Sequence, residues 1–115
     1  MSFRKGPSIS PDVTKATGTG NIATTTTLNK AFRLVSVTIK LSVATANNFT
    51  ITKDALNGAV YDAVLQTLLG AGATYFVFIP DEDLKFQKGD EIAVAWTNDG
   101  PGVTTYGLEI TTEDI

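Results

Sequence analysis

The sequence predicts an all-β protein: a single antiparallel β-sandwich, jelly-roll-like, of seven to eight strands, preceded by an extended N-terminal arm. From Phe32 onward short apolar runs alternate with polar residues in period two, the spacing that sends successive side chains to opposite faces of a strand. Turn-forming pairs such as Asn57-Gly58 and Lys88-Gly89 punctuate these runs at short intervals, as in sandwiches and jelly rolls. A length of 115 residues suits one core, which at this size buries roughly two-thirds of the surface the unfolded chain exposes.

The division falls near residue 27, with an arm over 1–27 and the sandwich over 28–115. Residues 1–27 hold Gly6, Pro7, Pro11, Gly18 and Gly20 among many Ser and Thr, with only Phe3, Ile9, Val13 and Ile22 as large apolar side chains. Such a segment buries too little surface to offset its ordering entropy alone, so it is expected to be ordered only by something outside its own domain. Fully extended, its first 20 residues reach on the order of 65 Å at about 3.3 Å per residue.

The first strand of the body is long. From Phe32 to Val43 the odd positions Val35, Val37, Ile39, Leu41 and Val43 are apolar and Ser36, Thr38, Lys40 and Ser42 polar, which predicts one wet face. Thr45-Ala46-Asn47-Asn48 turns the chain, and Phe49 and Ile51 face inward on Phe49 to Lys53, so the two strands read as a hairpin. Over 59–69 periodicity alone does not separate helix from strand: Val60, Val64, Leu65 and Leu68 share a helical face, whereas Tyr61, Ala63, Leu65 and Leu69 fit alternation. Flanking strands and the lack of an N-cap with an acidic first turn favour strand.

The aromatic and β-branched run Thr74 to Ile79, stopped by Pro80, is expected to be the most buried strand. Leu84-Lys85-Phe86, Glu91 to Trp96 and Val103 to Ile110 complete the set. Alternation places Val37, Ile39, Leu41, Phe49, Ile51, Val77, Ile79, Ile92, Val94 and Trp96 in the core.

Composition narrows the chemistry. The chain has no His and no Cys, which removes disulfides, thiolate zinc sites and the commonest nucleophile and base pairs. A net charge of -3 with no Lys/Arg run argues against direct nucleic-acid binding. No apolar stretch approaches the roughly 20 residues that span a bilayer, and the reading is of an unprocessed, soluble chain with no membrane partner.

Each remaining motif has a structural explanation. Asp81-Glu82-Asp83 is the densest carboxylate group, yet it lacks the alternating ligands of a calcium loop and reads as a solvated turn. A glycosidase-like pair of Asp90 or Glu91 with Asp62 would need facing carboxylates roughly 5 to 9.5 Å apart. Trp96, Tyr61, Tyr75 and Tyr106 could form a sugar platform, although Trp96 ends an inward triplet and belongs to the core. Lys88-Gly89-Asp90 is a turn rather than an adhesion motif, and Asn48-Phe49-Thr50 matches the glycosylation triplet without a secretion signal.

Several stretches together, Phe32 to Ser42, Asn48 to Thr52, Ala59 to Leu65, Phe78 to Asp81, Gly89 to Asn98 and Val103-Thr104 with Tyr106-Gly107, resemble small β-sandwich virion proteins of tailed bacteriophages. The likeness covers about 80 residues of the body and rests on turn-and-strand patterns. It implies a capsid decoration protein or another accessory head or tail protein, oligomeric and without catalysis, with a trimer favoured. It implies no catalysis and supplies no catalytic residue, and it favours strand over 59–69. The lack of His and Cys is the ground for expecting no enzyme, no cofactor and no essential metal.

The expected partner is the major capsid protein or another virion protein, on the capsid surface rather than the tail. The arm would then carry the contacts: Phe3, Ile9 and Val13 as single apolar anchors, Arg4, Lys5 and Lys15 as attraction to an acidic neighbour. Arm and body binding adjacent subunits would act bivalently, multiplying affinity by roughly 10² to 10⁴. The alternative is a carbohydrate-binding or tail-associated attachment module, which requires an exposed aromatic.

Overall fold

The computed structural model describes residues 12–115, which form nine strands in two antiparallel sheets packed as a sandwich. The strands are β1 (Asp12–Gly18), β2 (Ile22–Thr27), β3 (Phe32–Thr45), β4 (Phe49–Asp54), β5 (Ala63–Leu68), β6 (Ala73–Phe78), β7 (Lys85–Phe86), β8 (Glu91–Trp96) and β9 (Tyr106–Asp114). One sheet runs β1-β9-β3-β6, with β7 also on β3, and the other runs β2-β8-β4-β5. The ninth strand, beyond the seven to eight expected, is the two-residue β7.

A single pattern of pairing generates this order. β1 pairs with β9, β2 with β8, β3 with β6 and β4 with β5, all antiparallel. The chain is therefore one long ribbon doubled back about the β4–β5 connection. Rolling the ribbon sets β9 beside β3 and β8 beside β4, which joins the pairs into two sheets. That winding is a jelly roll, two Greek keys of eight principal strands.

Rolling turns one side of each strand inward. Phe32, Val37, Ile39, Phe49, Ile51, Ile92 and Ile110 become fully buried. The Phe49 ring lies 4.7 Å from Phe76 and 5.2 Å from Trp96 between centroids, and Phe32 stacks on Phe86 at 4.8 Å. Trp96 is core, as are Leu41 and Val94.

Four expectations are corrected. First, residues 12–27 are not an arm: β1 and β2 are strands of the two sheets, and the sandwich begins no later than Asp12. Their order comes from ladder hydrogen bonds to β9 and β8, more than 60 residues away in sequence, which local apolar content does not reveal.

Second, β3 and β4 are not a hairpin. The turn after Thr45 hands the chain from one sheet to the other, and β3 pairs with β6, β7 and β9 instead.

Third, β6 is an edge strand, and Val77 and Ile79 point outward at 42% and 67% exposure. Opposite Val37 and Ile39 stand Phe78 and Phe76, and paired residues share a face, so the even positions take the core. A continuous apolar run carries no parity of its own, and only the partner strand sets it.

Fourth, Val35 and Val43 leave the expected inward row. The register of β3 against β9 shifts between Leu34 and Ser36, a bulge that lets even-numbered Phe32 and Leu34 and odd-numbered Val37 and Ile39 all reach the core.

Residues 59–69 divide into one 3-10 turn, Ala59–Tyr61, followed by β5. Strand was thus the correct choice from Ala63 onward. Between β5 and β6, Gly70 is buried where a Cβ would collide with the backbone of Ala46 and Asn47, while the Gly70 N–H donates to the Asn48 side-chain oxygen at 3.1 Å. Gly70→Ala is therefore expected to lower stability by about 1–3 kcal/mol, read from the urea midpoint, because backbone cannot swing aside as a side chain does. An unchanged midpoint would contradict the close approach of these two connections.

Candidate functional site

Of the six residues assigned to the arm, Phe3, Arg4, Lys5 and Ile9 lie outside the described residues. Val13 and Lys15 sit on β1, on the outer face of the β1-β9-β3-β6 sheet. Lys15 Nζ stands 3.4 Å from Glu109 of β9, directly opposite it in register, so its charge is met within the chain.

This outer face is built from two cross-strand rows. Thr17, Gly107, Lys40 and Tyr75 stand side by side on β1, β9, β3 and β6, and Lys15, Glu109, Thr38 and Val77 form the next row. Gly107 has open space above its Cα, so the sheet carries a trough there instead of a ridge of side chains. The trough has a volume of about 500 Å³, with Lys15, Thr17, Lys40, Tyr75 and Glu109 among its walls. A second depression of about 290 Å³ shares Thr17, Lys40 and Gly107 and extends it toward Ser42 and Thr105. The Thr17 hydroxyl donates to the Tyr106 carbonyl at 2.7 Å, which holds one wall.

The aromatic candidates separate by burial. Trp96 is 3% exposed, Tyr106 is half-buried, and Tyr61 and Tyr75 are 62% and 60% exposed. Tyr75 alone of these lines the trough.

Some carboxylates are tied into the structure, while Asp54, Asp62 and Glu91 lie close together. Asp83 pairs with Arg33 at 3.4 Å and Lys85 at 3.6 Å, and no group of His, Cys, Asp or Glu suited to a metal occurs among the described residues. Asp90 is buried and accepts from the backbone N–H groups of Leu56 and Gln87 at 3.0 and 2.9 Å, with Lys53 Nζ 3.8 Å away. It closes the Gln87–Asp90 turn, where Gly89 takes φ +94. Glu91 accepts from the Thr27 hydroxyl at 2.7 Å. Asp54 is raised above the usual carboxylate range, chiefly by the charge of Asp62, then by burial and by Glu91. Asp62 itself accepts from the Ala55 N–H at 2.7 Å.

An adjoining surface, which shares β6 with the trough, is apolar. Among the described residues twelve large hydrophobic side chains are exposed, and seven of them fall between Val60 and Ile79. Val60, Tyr61, Val64 and Leu69 belong to β5 and its flanks, Tyr75, Val77 and Ile79 to β6 and its end. β5 and β6 are the open edges of their two sheets and are joined to one another, so both strands lie along one side of the roll, with Tyr75 and Val77 on the trough face of β6.

The sequence had marked the polar positions Thr38 and Lys40 as a wet face, but not the trough. A glycine inside a strand pattern, here Tyr106-Gly107-Leu108, is the signal for close approach that was available. The chain matches no protein-family model and no curated protein. None of the helical structure is long and apolar enough to cross a membrane among the described residues.

Proposed function

We propose that this chain is a non-enzymatic structural component of a virion, a capsid decoration protein that self-associates and stabilises a head lattice by binding it. The observation that carries the reading is the apolar side formed by β5 and β6 on a jelly-roll body. Jelly rolls occur in viral capsid proteins, lectins and cupins, and the fold by itself selects none of these. The absence of His and Cys removes the metal-ligating residues a cupin-type centre relies on.

The apolar side favours assembly. Solvent-exposed Val60, Val64, Leu69 and Ile79, each at least 64% exposed, gain by removal from water at about 25 cal/mol per Å². Open sheet edges next to them are a second reason to expect cover, since unpaired edges are aggregation-prone unless capped. A closed cyclic oligomer, with a trimer as the expected form, buries this side about its axis and leaves the opposite β1–β2 side for the lattice. Val13 on β1 is one apolar contact available there.

Light scattering on the eluting protein should return a trimer mass, and Val64→Asp with Ile79→Asp should return a monomer with unchanged far-UV circular dichroism. Particles stripped of the chain should recover it in the pellet at fixed stoichiometry, and cryo-electron microscopy should place it on the shell. A monomeric wild type that stays in the supernatant overturns the proposal.

A further inference from the structure

We propose that the trough across the β1-β9-β3-β6 sheet binds an acidic saccharide, with a sugar ring stacked on Tyr75 and its carboxylate at Lys40. At about 500 Å³ the trough lies within the range of roughly 300–1,000 Å³ typical of small-ligand sites, and the adjoining depression lengthens it for a chain of sugars. Its parts match the chemistry of a sugar ring. A pyranose has an apolar C–H face, which an exposed tyrosine ring receives, and a rim of hydroxyls, which Thr17, Thr38 and the Lys15–Glu109 pair meet. Gly107 supplies the clearance between them.

Charge selects an acidic sugar. Lys15 is neutralised by Glu109, whereas Lys40 has no carboxylate within 4 Å among the described residues. Lys40 stands opposite Tyr75 in register, so stacking and ion pairing act on one ring. An added peptide strand is disfavoured because the floor strands β9 and β3 are already paired on both sides. Nucleic acid is disfavoured because a single unpaired lysine, beside Glu109, gives little phosphate neutralisation. Tyr75 stands both in the trough and on β6 beside the apolar side, so the proposal requires that assembly leave the outer face of β6 open. Val64→Asp with Ile79→Asp, the monomeric variant, is therefore titrated beside the wild type: binding by both supports the proposal and binding by neither overturns it.

The test is calorimetric titration of the full chain with three probes: a hexasaccharide alternating uronic acid and N-acetylhexosamine, a neutral N-acetylhexosamine hexamer, and a thymidine oligonucleotide. The acidic hexasaccharide should bind at least tenfold tighter than either of the others, with affinity falling as salt rises. Tyr75→Ala should weaken it at least tenfold. Lys40→Gln should remove the preference for the acidic probe over the neutral one. Gly107→Val should abolish binding while leaving the melting temperature unchanged or higher, since its Cβ meets open space and valine favours strands. If Gly107→Val fails to fold, Tyr75→Ala on the edge strand decides. No binding at millimolar hexasaccharide, tighter binding to the oligonucleotide, or unaltered binding by Tyr75→Ala overturns the proposal.

Discussion

Replacing Phe49 with alanine is expected to remove about 3–5 kcal/mol of stability, a large share of the 5–15 kcal/mol that holds a typical domain. Phe49 is fully buried at the start of β4, between Phe76 of one sheet and Trp96 of its own. The loss combines the transfer of an aromatic side chain from water with a cavity that the two sheets do not close, because the Trp96 ring is held. Trp96 is fixed by its indole N–H, which donates to the Thr45 hydroxyl at 3.2 Å, and that hydroxyl donates to Asp99 at 2.8 Å. Urea titration should show a lower midpoint at unchanged slope. Val103→Ala, 75% exposed in the β8–β9 connection, should stay within about 0.5 kcal/mol and serves as the control. A loss below about 1 kcal/mol for Phe49→Ala would mean that the sheets do not meet across this ring.

Asp90→Ala should cost about 2–4 kcal/mol, because it strands two inward N–H groups and a lysine that share one carboxylate. The donors come from Leu56 and Gln87, in two separate connections, so the carboxylate ties the β4–β5 link to the β7–β8 turn. Lys53, its third partner, lies 5.6 Å over the Phe86 ring and would lose its counter-charge. Asp90→Asn retains one acceptor and should lose less.

The same contacts give an acid dependence. Burial acts to raise the Asp90 carboxyl, but the Leu56 and Gln87 N–H groups and Lys53 outweigh it and hold it below the usual range. Asp99 is lowered too, by the Ala46 N–H and the Thr45 hydroxyl. A depressed folded-state value means that the stabilisation is complete above the unfolded value of about 3.9 and disappears as pH falls through the lower folded value. Asp54 has the opposite sign: its repulsion by Asp62 and Glu91 acts above its raised value and is relieved on acidification. Stability should therefore hold or rise slightly as pH approaches about 4 from neutral, then fall below it. In Asp90→Ala the fall below pH about 4 should be shallower than in wild type. An identical acid limb in the two proteins would show that Asp90 is not the group whose protonation loosens the fold.

The exposed and buried surfaces differ in how they could be read from the chain. Tyr75 and Lys40 were legible one at a time, as an aromatic in a strand and a polar residue on a wet face. Their meeting over Gly107 required the β3–β6 and β3–β9 registers, which link positions tens of residues apart. The apolar side was hidden for a related reason. Val77 and Ile79 lie in a run where every residue from Tyr75 to Ile79 is hydrophobic, so nothing local says which parity faces water.

Alternation alone determined that the chain is all-β and that Val37, Ile39, Leu41, Phe49, Ile51, Ile92, Val94 and Trp96 form its core, because period-two burial is a local property of each strand. The missing His and Cys likewise limited the chemistry from composition alone. Only the tertiary structure decided that Asp12–Gly18 and Ile22–Thr27 are strands, that β3 and β4 belong to different sheets, and that β6 turns Phe76 and Phe78 inward. Those outcomes depend on hydrogen-bonded partners far away in sequence, and a strand without a strong apolar pattern of its own takes both its order and its facing from them.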